Sequence, residues 1–338
     1  MVVGGDAAGM SAASQARRRR DGLDIVALEK GRWTSYTACG IPYVVGGVVP
    51  SLDPLIVRTP QEFAGKWRID ARTGHEVRAI DLDRRTVEVH EHDGAGGRTY
   101  QLGFDILHVA TGAAPVRPDL PGIDDEHIHG VQTLEDADHL LGHLAGGERP
   151  SPGRAVVVGG GYIGLEMAEA FLRRGWQVTV VDQATHVMPS LDPDIAEVVA
   201  DAMRDHGIDV HCDTPVHGFE PGVVHTADGP LHHDLVVLGM GVGPNSALAR
   251  DAGLETGVKG AIRVDRRQRT SAEGVWAAGD CCESFHRVAE APMHIALGTV
   301  ANKQGRVAGI NIGGGYATFP GVVGTAATKL CDLSLIHI

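Results

Sequence analysis

Cys39 carries the most versatile chemistry in this sequence. It stands within Ser35-Tyr36-Thr37-Ala38-Cys39-Gly40-Ile41-Pro42-Tyr43, ten residues after the acid Glu29. A thiolate there could open a disulfide and hold a mixed disulfide, or cycle through a sulfenic acid. A helix starting at this point would aim N–H groups at the sulfur and lower its pKa. No second cysteine lies within six residues, so an internal disulfide of the C-x-x-C or C-x-x-x-x-C kind is excluded. Taken alone, a buried and inert thiol is the competing reading. Cys281 and Cys282 are adjacent; a bridge between neighbours is strained, so they read as structural. Cys212, beside His211, and Cys331 read as passive. The 18 histidines show neither H-E-x-x-H nor clustered Cys/His spacing, so no metal is expected.

Three acids sit where they could bind the hydroxyls of a nucleotide, and each needs a strand to deliver it. Val2-Val3 runs into Gly4-Gly5-Asp6-Ala7-Ala8-Gly9, a helix is expected over Met10 to Arg20, and a strand from Asp24 to Leu28 ends at Glu29. Such a turn lets backbone approach a pyrophosphate at a helix N-terminus, and the acid about 20 residues on can accept a ribose hydroxyl. Asp6 interrupts the strict G-x-G-x-x-G, so an ordinary glycine-rich turn competes. The second unit is cleaner. A strand at Ala155–Val158 leads into Gly159-Gly160-Gly161-Tyr162-Ile163-Gly164, a helix is expected over Leu165 to Arg174, and the strand Gln177–Val181 ends in Asp182. Asp182 would hold an adenosine ribose and repel a 2′-phosphate. No arginine or lysine follows in Gln183-Ala184-Thr185-His186, so NADH is favoured over NADPH. The third acid, Asp280, follows the strand Val275–Ala278 and Gly279 and suits a polyol hydroxyl or, more blandly, a turn.

Between the units, Glu76 to Val89 alternates like strands around Asp83-Arg84-Arg85. Phe104 to Val109 is an apolar strand ending in Ala110-Thr111-Gly112, and Pro115, Pro118 and Pro121 mark a domain crossing. Asp234 to Met240 is another strand, stopped by Gly241 to Asn245 with Pro244. Two nucleotide units in series imply electron flow between a diffusing nicotinamide and a bound flavin; the residues alone do not identify the flavin.

Length and composition agree with this. At about 150 residues per domain, 338 residues make two domains, and 43% apolar with 22% charged residues supports packed cores. The net charge of −13 argues against a nucleic-acid partner. No apolar run reaches the ~20 residues of a membrane span. The first strand begins without a signal peptide, and the few, odd-numbered cysteines fit a reducing, cytoplasmic setting. The N-terminus is abrupt, as though one or two residues were missing. Leu333-Ser334-Leu335-Ile336-His337-Ile338 reads as a translated sequencing adapter, so the protein is expected to continue past Asp332.

These motifs, in this order, resemble the single-cysteine pyridine nucleotide-disulfide oxidoreductases, which include coenzyme A-disulfide reductases, NADH oxidases and NADH peroxidases. The resemblance is carried by the Gly4–Gly9 loop and Glu29, Ser35-Tyr36 through Tyr43, Ala110-Thr111-Gly112, Gly159 to Glu166, Gly241-Val242 with Pro244-Asn245, and Ala278-Gly279-Asp280. Ala301 to Arg306, Gly324-Thr325 and Thr328-Lys329 complete it. It implies an α/β fold of two Rossmann-like domains. An FAD domain would comprise 1–113 and 244–320, and an NAD(P)H domain 114–243. A C-terminal dimerisation domain would start at 321–332, most of it absent, so the full-length protein is expected to be a homodimer.

The same resemblance implies roles for particular residues. FAD would be held by Gly4, Gly9, Glu29, Lys30, Ala110, Thr111, Gly112, Gly279 and Asp280. NADH, or NADPH, would be held by Gly159, Gly161, Tyr162, Ile163, Gly164, Glu166, Asp182 and Gly241, with Tyr162 covering the flavin until the nicotinamide arrives. Cys39 would be the redox cysteine, and Ser11, Gln15, Arg18 and Ser35 would contact coenzyme A. Ala7 stands where oxidase and peroxidase relatives often carry a histidine, which points to coenzyme A disulfide or a persulfide as acceptor. Oxygen reduction to water is the alternative, and a non-enzymatic flavin-bearing NADH sensor a distant third. Ala38 replaces the asparagine common before the cysteine, leaving one hydrogen bond to substrate or sulfur in question.

Overall fold

The computed structural model describes residues 1–92, 94, 96–146 and 153–337. The chain divides into two units: Met1–Thr37, Ile56–Ala114 and Gly243–Gly324 form the first, and Ala38–Leu55, Pro115–Val242 and the residues from Thr325 onward form the second. Residues 38–55, which carry Cys39, thus group with the second unit.

The first unit is built on a five-stranded sheet in the order Val275–Ala277, Leu107–Val109, Val2–Val3, Ile25–Leu28, Ile69–Arg72. Every pairing in it is parallel. Parallel strands need crossover connections, so both sheet faces are covered and the strands read as continuous apolar runs. Leu107, Val109, Val275 and Ala277 are accordingly buried. One crossover is the helix Ala7–Arg19, which packs against the helix Gly298–Ile312 through small residues. A Cβ on Gly305 would stand 2.2 Å from the Ala8 carbonyl oxygen, and one on Gly309 2.3 Å from that of Ala12. The two helices therefore touch backbone to backbone. A three-stranded antiparallel sheet, His75–Asp81, Thr86–Glu91 and Arg98–Gly103, is inserted in this unit. Its first turn falls at the expected Asp83-Arg84-Arg85, with Arg85 left-handed at φ 54°.

The second unit repeats the plan: Ile208–His211, Gln177–Val181, Arg154–Val158, Leu235–Leu238, Ile128–Gly130, again parallel throughout. Its helix Leu134–Ala145 is started by a capping box in which Thr133 Oγ1 accepts from Asp136 N and Asp136 accepts from Thr133 N, worth about 1 kcal/mol. Residues Ala326–Leu330 and Leu333–His337 pair as an antiparallel hairpin; Ile338 lies outside the described residues. Among the described residues, no helix is long and apolar enough to cross a membrane.

Both loop helices begin earlier than their sequence pattern indicates, at Ala7 and Tyr162 rather than Met10 and Leu165. The glycine loop leads directly into helical turns, so the first N–H groups of each helix are presented by the loop itself.

Candidate functional site: two glycine loops and an exposed thiol

In the first unit, Gly4 leaves the central strand at φ 108°, a conformation open to glycine. Its N–H donates to Leu28 O at 2.8 Å. A Cβ on Gly9 would lie 1.9 Å from the Gly4 carbonyl oxygen, so only glycine lets the helix start this close to the strand. Glu29 is held by both oxygens: Gly5 N donates to Oε2 at 2.6 Å and Gly31 N to Oε1 at 2.7 Å. Lys30 beside it is exposed. Ala110 N donates to Val3 O at 2.7 Å. Thr111 Oγ1 donates to Asn245 O at 2.5 Å, and Asn245 Nδ2 returns a bond to Thr111 O at 3.1 Å. Gly112, at φ 70°, has open space where a side chain would be.

Two more carboxyl groups close this site. Asp6 Oδ1 accepts from Tyr36 N at 3.0 Å. Burial pushes Asp6 up to about 6, and the nearby charge of Glu29 adds to the rise while backbone N–H groups oppose it. Asp280 is also pushed up to about 6, first by burial and then by the charge of Asp6. Its Oδ1 is buried with no hydrogen-bond partner. Gly279 N, just before it, donates to Gln304 Oε1 at 2.9 Å, and Gln304 Nε2 donates to Ser284 Oγ at 2.8 Å.

Ser11, Gln15 and Arg18 share one face of the helix Ala7–Arg19 by their spacing of four and three. Ser11 Oγ is already engaged with Asn302 Oδ1 at 2.8 Å, and Arg18 is exposed. Ser35 joins the loop through its backbone, its N–H donating to Gly5 O at 2.9 Å in a left-handed conformation, φ 48°. The first arginine of the basic run serves the fold: buried Arg17 donates to Trp67 O at 2.8 Å, Arg68 O at 2.7 Å and Asp21 O.

The second unit reproduces the first loop's geometry. Gly159 has φ 109° and its N–H donates to Val181 O at 2.7 Å. A Cβ on Gly164 would lie 2.0 Å from the Gly159 carbonyl oxygen. Asp182 Oδ2 accepts from Gly160 N at 2.6 Å and Oδ1 from Ala184 N at 2.8 Å. Gly161 faces open space, with one carbonyl oxygen 3.8 Å from a hypothetical Cβ. Tyr162 and Ile163, half-buried, form the first helical turn. Glu166, pushed up mainly by burial, accepts from Thr328 Oγ1 at 2.9 Å. Gly241, at φ 85°, turns the chain while its carbonyl accepts from Val116 N at 2.9 Å.

Cys39 is exposed, in contrast to a buried inert thiol. The expected helix does not begin at the sulfur: Cys39 lies inside a 3₁₀ turn, Ala38–Gly40, and the helix that follows, Ile41–Val45, is one turn long. Proline at its second position fixes that start after the cysteine. The other cysteines are withdrawn. Cys281 and Cys282 are fully buried with sulfurs 3.7 Å apart, and burial holds Cys282 protonated. Burial also raises Cys212 and Cys331.

The histidine spacing concealed a tertiary cluster. His127 and His129 precede and occupy the strand Ile128–Gly130, and His139 and His143 lie on the helix Leu134–Ala145; ring centroids stand 5.0 Å (His127–His143), 5.0 Å (His129–His143) and 5.4 Å (His129–His139) apart. His129 and His139 border a cavity of about 330 Å³ lined also by Arg117, Asp125 and Glu135. Burial and the neighbouring imidazoles push His129 down to about 3. Among the described residues, no group of three or more His, Cys, Asp and Glu side chains is arranged to hold a metal ion.

Two parallel-sheet units, each with a glycine loop and an acid at the end of the next strand, define a dinucleotide-binding α/β protein. Residues 1–305 match the pyridine nucleotide-disulphide oxidoreductase family, and the chain belongs to it. The family uses FAD. The chain is 36% identical to an NAD(P)H sulfur oxidoreductase (CoA-dependent) of Pyrococcus abyssi over 340 residues, covering 99% of this chain and 74% of that protein. It is equally similar, at 36% over 340 residues and with the same coverage, to an NADH oxidase of Methanocaldococcus jannaschii. The solved structure of an NAD-dependent persulfide reductase from A. fulgidus matches with a TM-score of 0.93 and 38% identity, over 98% of this chain and 62% of that one. The chain thus spans about three quarters of these curated relatives and less than two thirds of that solved structure.

The first unit fits FAD on its own geometry. The glycine cradle leaves no room for a Cβ at Gly4 or Gly9, and the orphaned, buried Oδ1 of Asp280 is an acceptor suited to a polyol hydroxyl.

Proposed function

We propose that this chain is the redox core of an FAD-dependent enzyme that uses NADH to reduce coenzyme A disulfide or a persulfide through Cys39. One observation carries the reading: an exposed thiol accompanies two near-identical dinucleotide cradles, the first of which leaves Asp280 Oδ1 buried and unpartnered. Gly4, Gly9, Glu29, Lys30, Ala110, Thr111, Gly112, Gly279 and Asp280 would hold FAD in a domain comprising 1–113 and 244–320. Gly159, Gly161, Tyr162, Ile163, Gly164, Glu166, Asp182 and Gly241 would hold NADH in the domain 114–243. Bound FAD supplies two-electron exchange between nicotinamide and sulfur. Asp182 orients the adenosine ribose and disfavours NADPH. The Cys39 thiolate attacks one sulfur of the acceptor, the second sulfur leaves as a thiolate, and a mixed disulfide forms. An electron pair from NADH then regenerates Cys39 and releases the second thiol. Ser11, Gln15, Arg18 and Ser35 would meet coenzyme A. The full-length protein would act as a cytoplasmic homodimer.

A second reading, oxygen reduction to water through a Cys39 sulfenic acid, is favoured by the likeness to the archaeal NADH oxidase. NADH oxidation in wild type and Cys39→Ser, anaerobically with coenzyme A disulfide or a persulfide and separately in air with neither, tests both. The expected result is turnover in the wild type and a loss of at least about 10³-fold in the variant. Turnover with oxygen alone would replace the lead reading by the second.

A further inference from the structure

The first glycine loop is ringed by negative groups. Asp6, Glu29 and Asp280 approach it from the loop itself, the end of the strand Ile25–Leu28 and the segment after the strand Val275–Ala277. Glu29 already accepts two backbone N–H bonds. Asp6 accepts one from Tyr36. Asp280 Oδ1 accepts none. Neither Asp6 nor Asp280 takes part in an ion pair among the described residues. The other titratable groups nearby offer little compensation. His294 spends its Nε2 on the Asp280 carbonyl oxygen at 2.7 Å. His108 on the adjoining strand is fully buried and held neutral by burial. Lys30, Lys303 and Arg306 are exposed to water.

A dinucleotide brings a diphosphate of two negative charges to such a loop. The equivalent loop of the second unit has Gly161 where the first has Asp6. Burying an ionised Asp6 beside Glu29, Asp280 and a diphosphate would concentrate like charges in a poorly solvated space, which protonation relieves.

We infer that Asp6 is a proton-carrying positioning residue, so that binding of FAD to the first unit takes up one proton at the Asp6–Asp280 pair. The protonated carboxyl donates where a carboxylate would repel, while Asp6 keeps an oxygen for the Tyr36 N–H. In the balance, FAD and one proton enter and nothing leaves. This rests on the FAD reading above.

The sign follows from the two carboxyls. Both are pushed up to about 6 before any diphosphate arrives, and the diphosphate raises them further. Below about pH 6 the proton is already present; above it, each binding event must take one from solvent. The dissociation constant for FAD should therefore rise roughly tenfold per pH unit from about pH 6 to about pH 8.

The test measures FAD retained by the purified flavoprotein after dilution, by flavin fluorescence across that range. Calorimetry of FAD added back to dialysed protein, in two buffers of different ionisation enthalpy, counts the protons. The wild type should show the slope and an uptake close to one proton. Asp6→Asn should flatten the slope and hold FAD about a hundredfold more tightly than wild type near pH 8. A flat wild-type profile with no proton uptake, or an unchanged slope in Asp6→Asn, overturns the inference. Should Asp6→Asn not fold, the wild-type slope and proton count decide. Protein that binds no FAD at any pH would instead remove the reading on which the inference stands.

Discussion

The two glycine loops of this chain are nearly superposable in their internal bonds and differ at three positions. In each, the first glycine has φ close to 108°, the last cannot carry a Cβ, and the second donates to an acid at 2.6 Å. Four strands of each sheet keep the same spatial order around them, while the edge strand is the last in the chain in one sheet, Val275–Ala277, and the first in the other, Ile128–Gly130. What differs is the third, fourth and fifth loop positions: Asp6, Ala7 and Ala8 in the first unit, Gly161, Tyr162 and Ile163 in the second. The shared part is what any dinucleotide requires. The unshared part sets what each loop does with its ligand: the first surrounds it with carboxyls, and the second leaves open space beside a half-buried aromatic ring. The invariant geometry thus fits one class of ligand, and three variable positions distinguish the two cradles.

The largest effects should come from attacking the shared geometry. Gly9→Ala and Gly164→Ala each force a methyl group to about 2 Å from a backbone carbonyl oxygen. Each should cost about 3 kcal/mol or more and abolish nucleotide binding in its own unit, read by thermal unfolding and by flavin or NADH titration. A large loss from one substitution and a small loss from the other would break the equivalence of the loops.

Acid should probe the units next. His108 in the first sheet and His129 in the second are both depressed to about 3 by burial. The unfolded chain binds those protons near pH 6.5, so this contribution is whole above that value and is lost as pH falls toward 3. The slope is about 1.4 kcal/mol per pH unit for each group. Calorimetry of His108→Phe and His129→Phe should show a shallower acid limb in each. An acid limb as steep as the wild type's in both would remove buried histidine as the cause.

The smallest effect concerns the acids. Asp182→Asn keeps an acceptor for one N–H and loses the charge. It should weaken NADH binding by about tenfold, near 1.4 kcal/mol, and narrow the preference over NADPH. Equal weakening of both cofactors would show that Asp182 supports the loop without selecting the nucleotide.

Much of this site was legible because it is written locally. Glycine spacing, apolar strands such as Ala155–Val158 and the acids Glu29 and Asp182 follow from short-range rules. What was illegible depends on distant approach. Asp6 read as a defect in a motif, yet burial beside Glu29 and Asp280 makes it the most unusual carboxyl in the loop. The exposure of Cys39 depends on how Pro42 starts the next helix. Thr111 and Asn245, 134 residues apart, lock one another's backbone. The four clustered histidines follow ordinary strand and helix spacings, and only the packing of one element on the other unites them.

The backbone contact between the helices Ala7–Arg19 and Gly298–Ile312 also constrains the chain's birth. The second unit's entire sheet emerges from the ribosome before the strand Val275–Ala277 and the glycine-faced helix exist. During that interval the alanine ridge of the first helix is bare, and Leu107–Val109 is an unprotected sheet edge. The first unit is therefore begun first and completed last, leaving a nascent chain vulnerable to misassembly until some three hundred residues have been made.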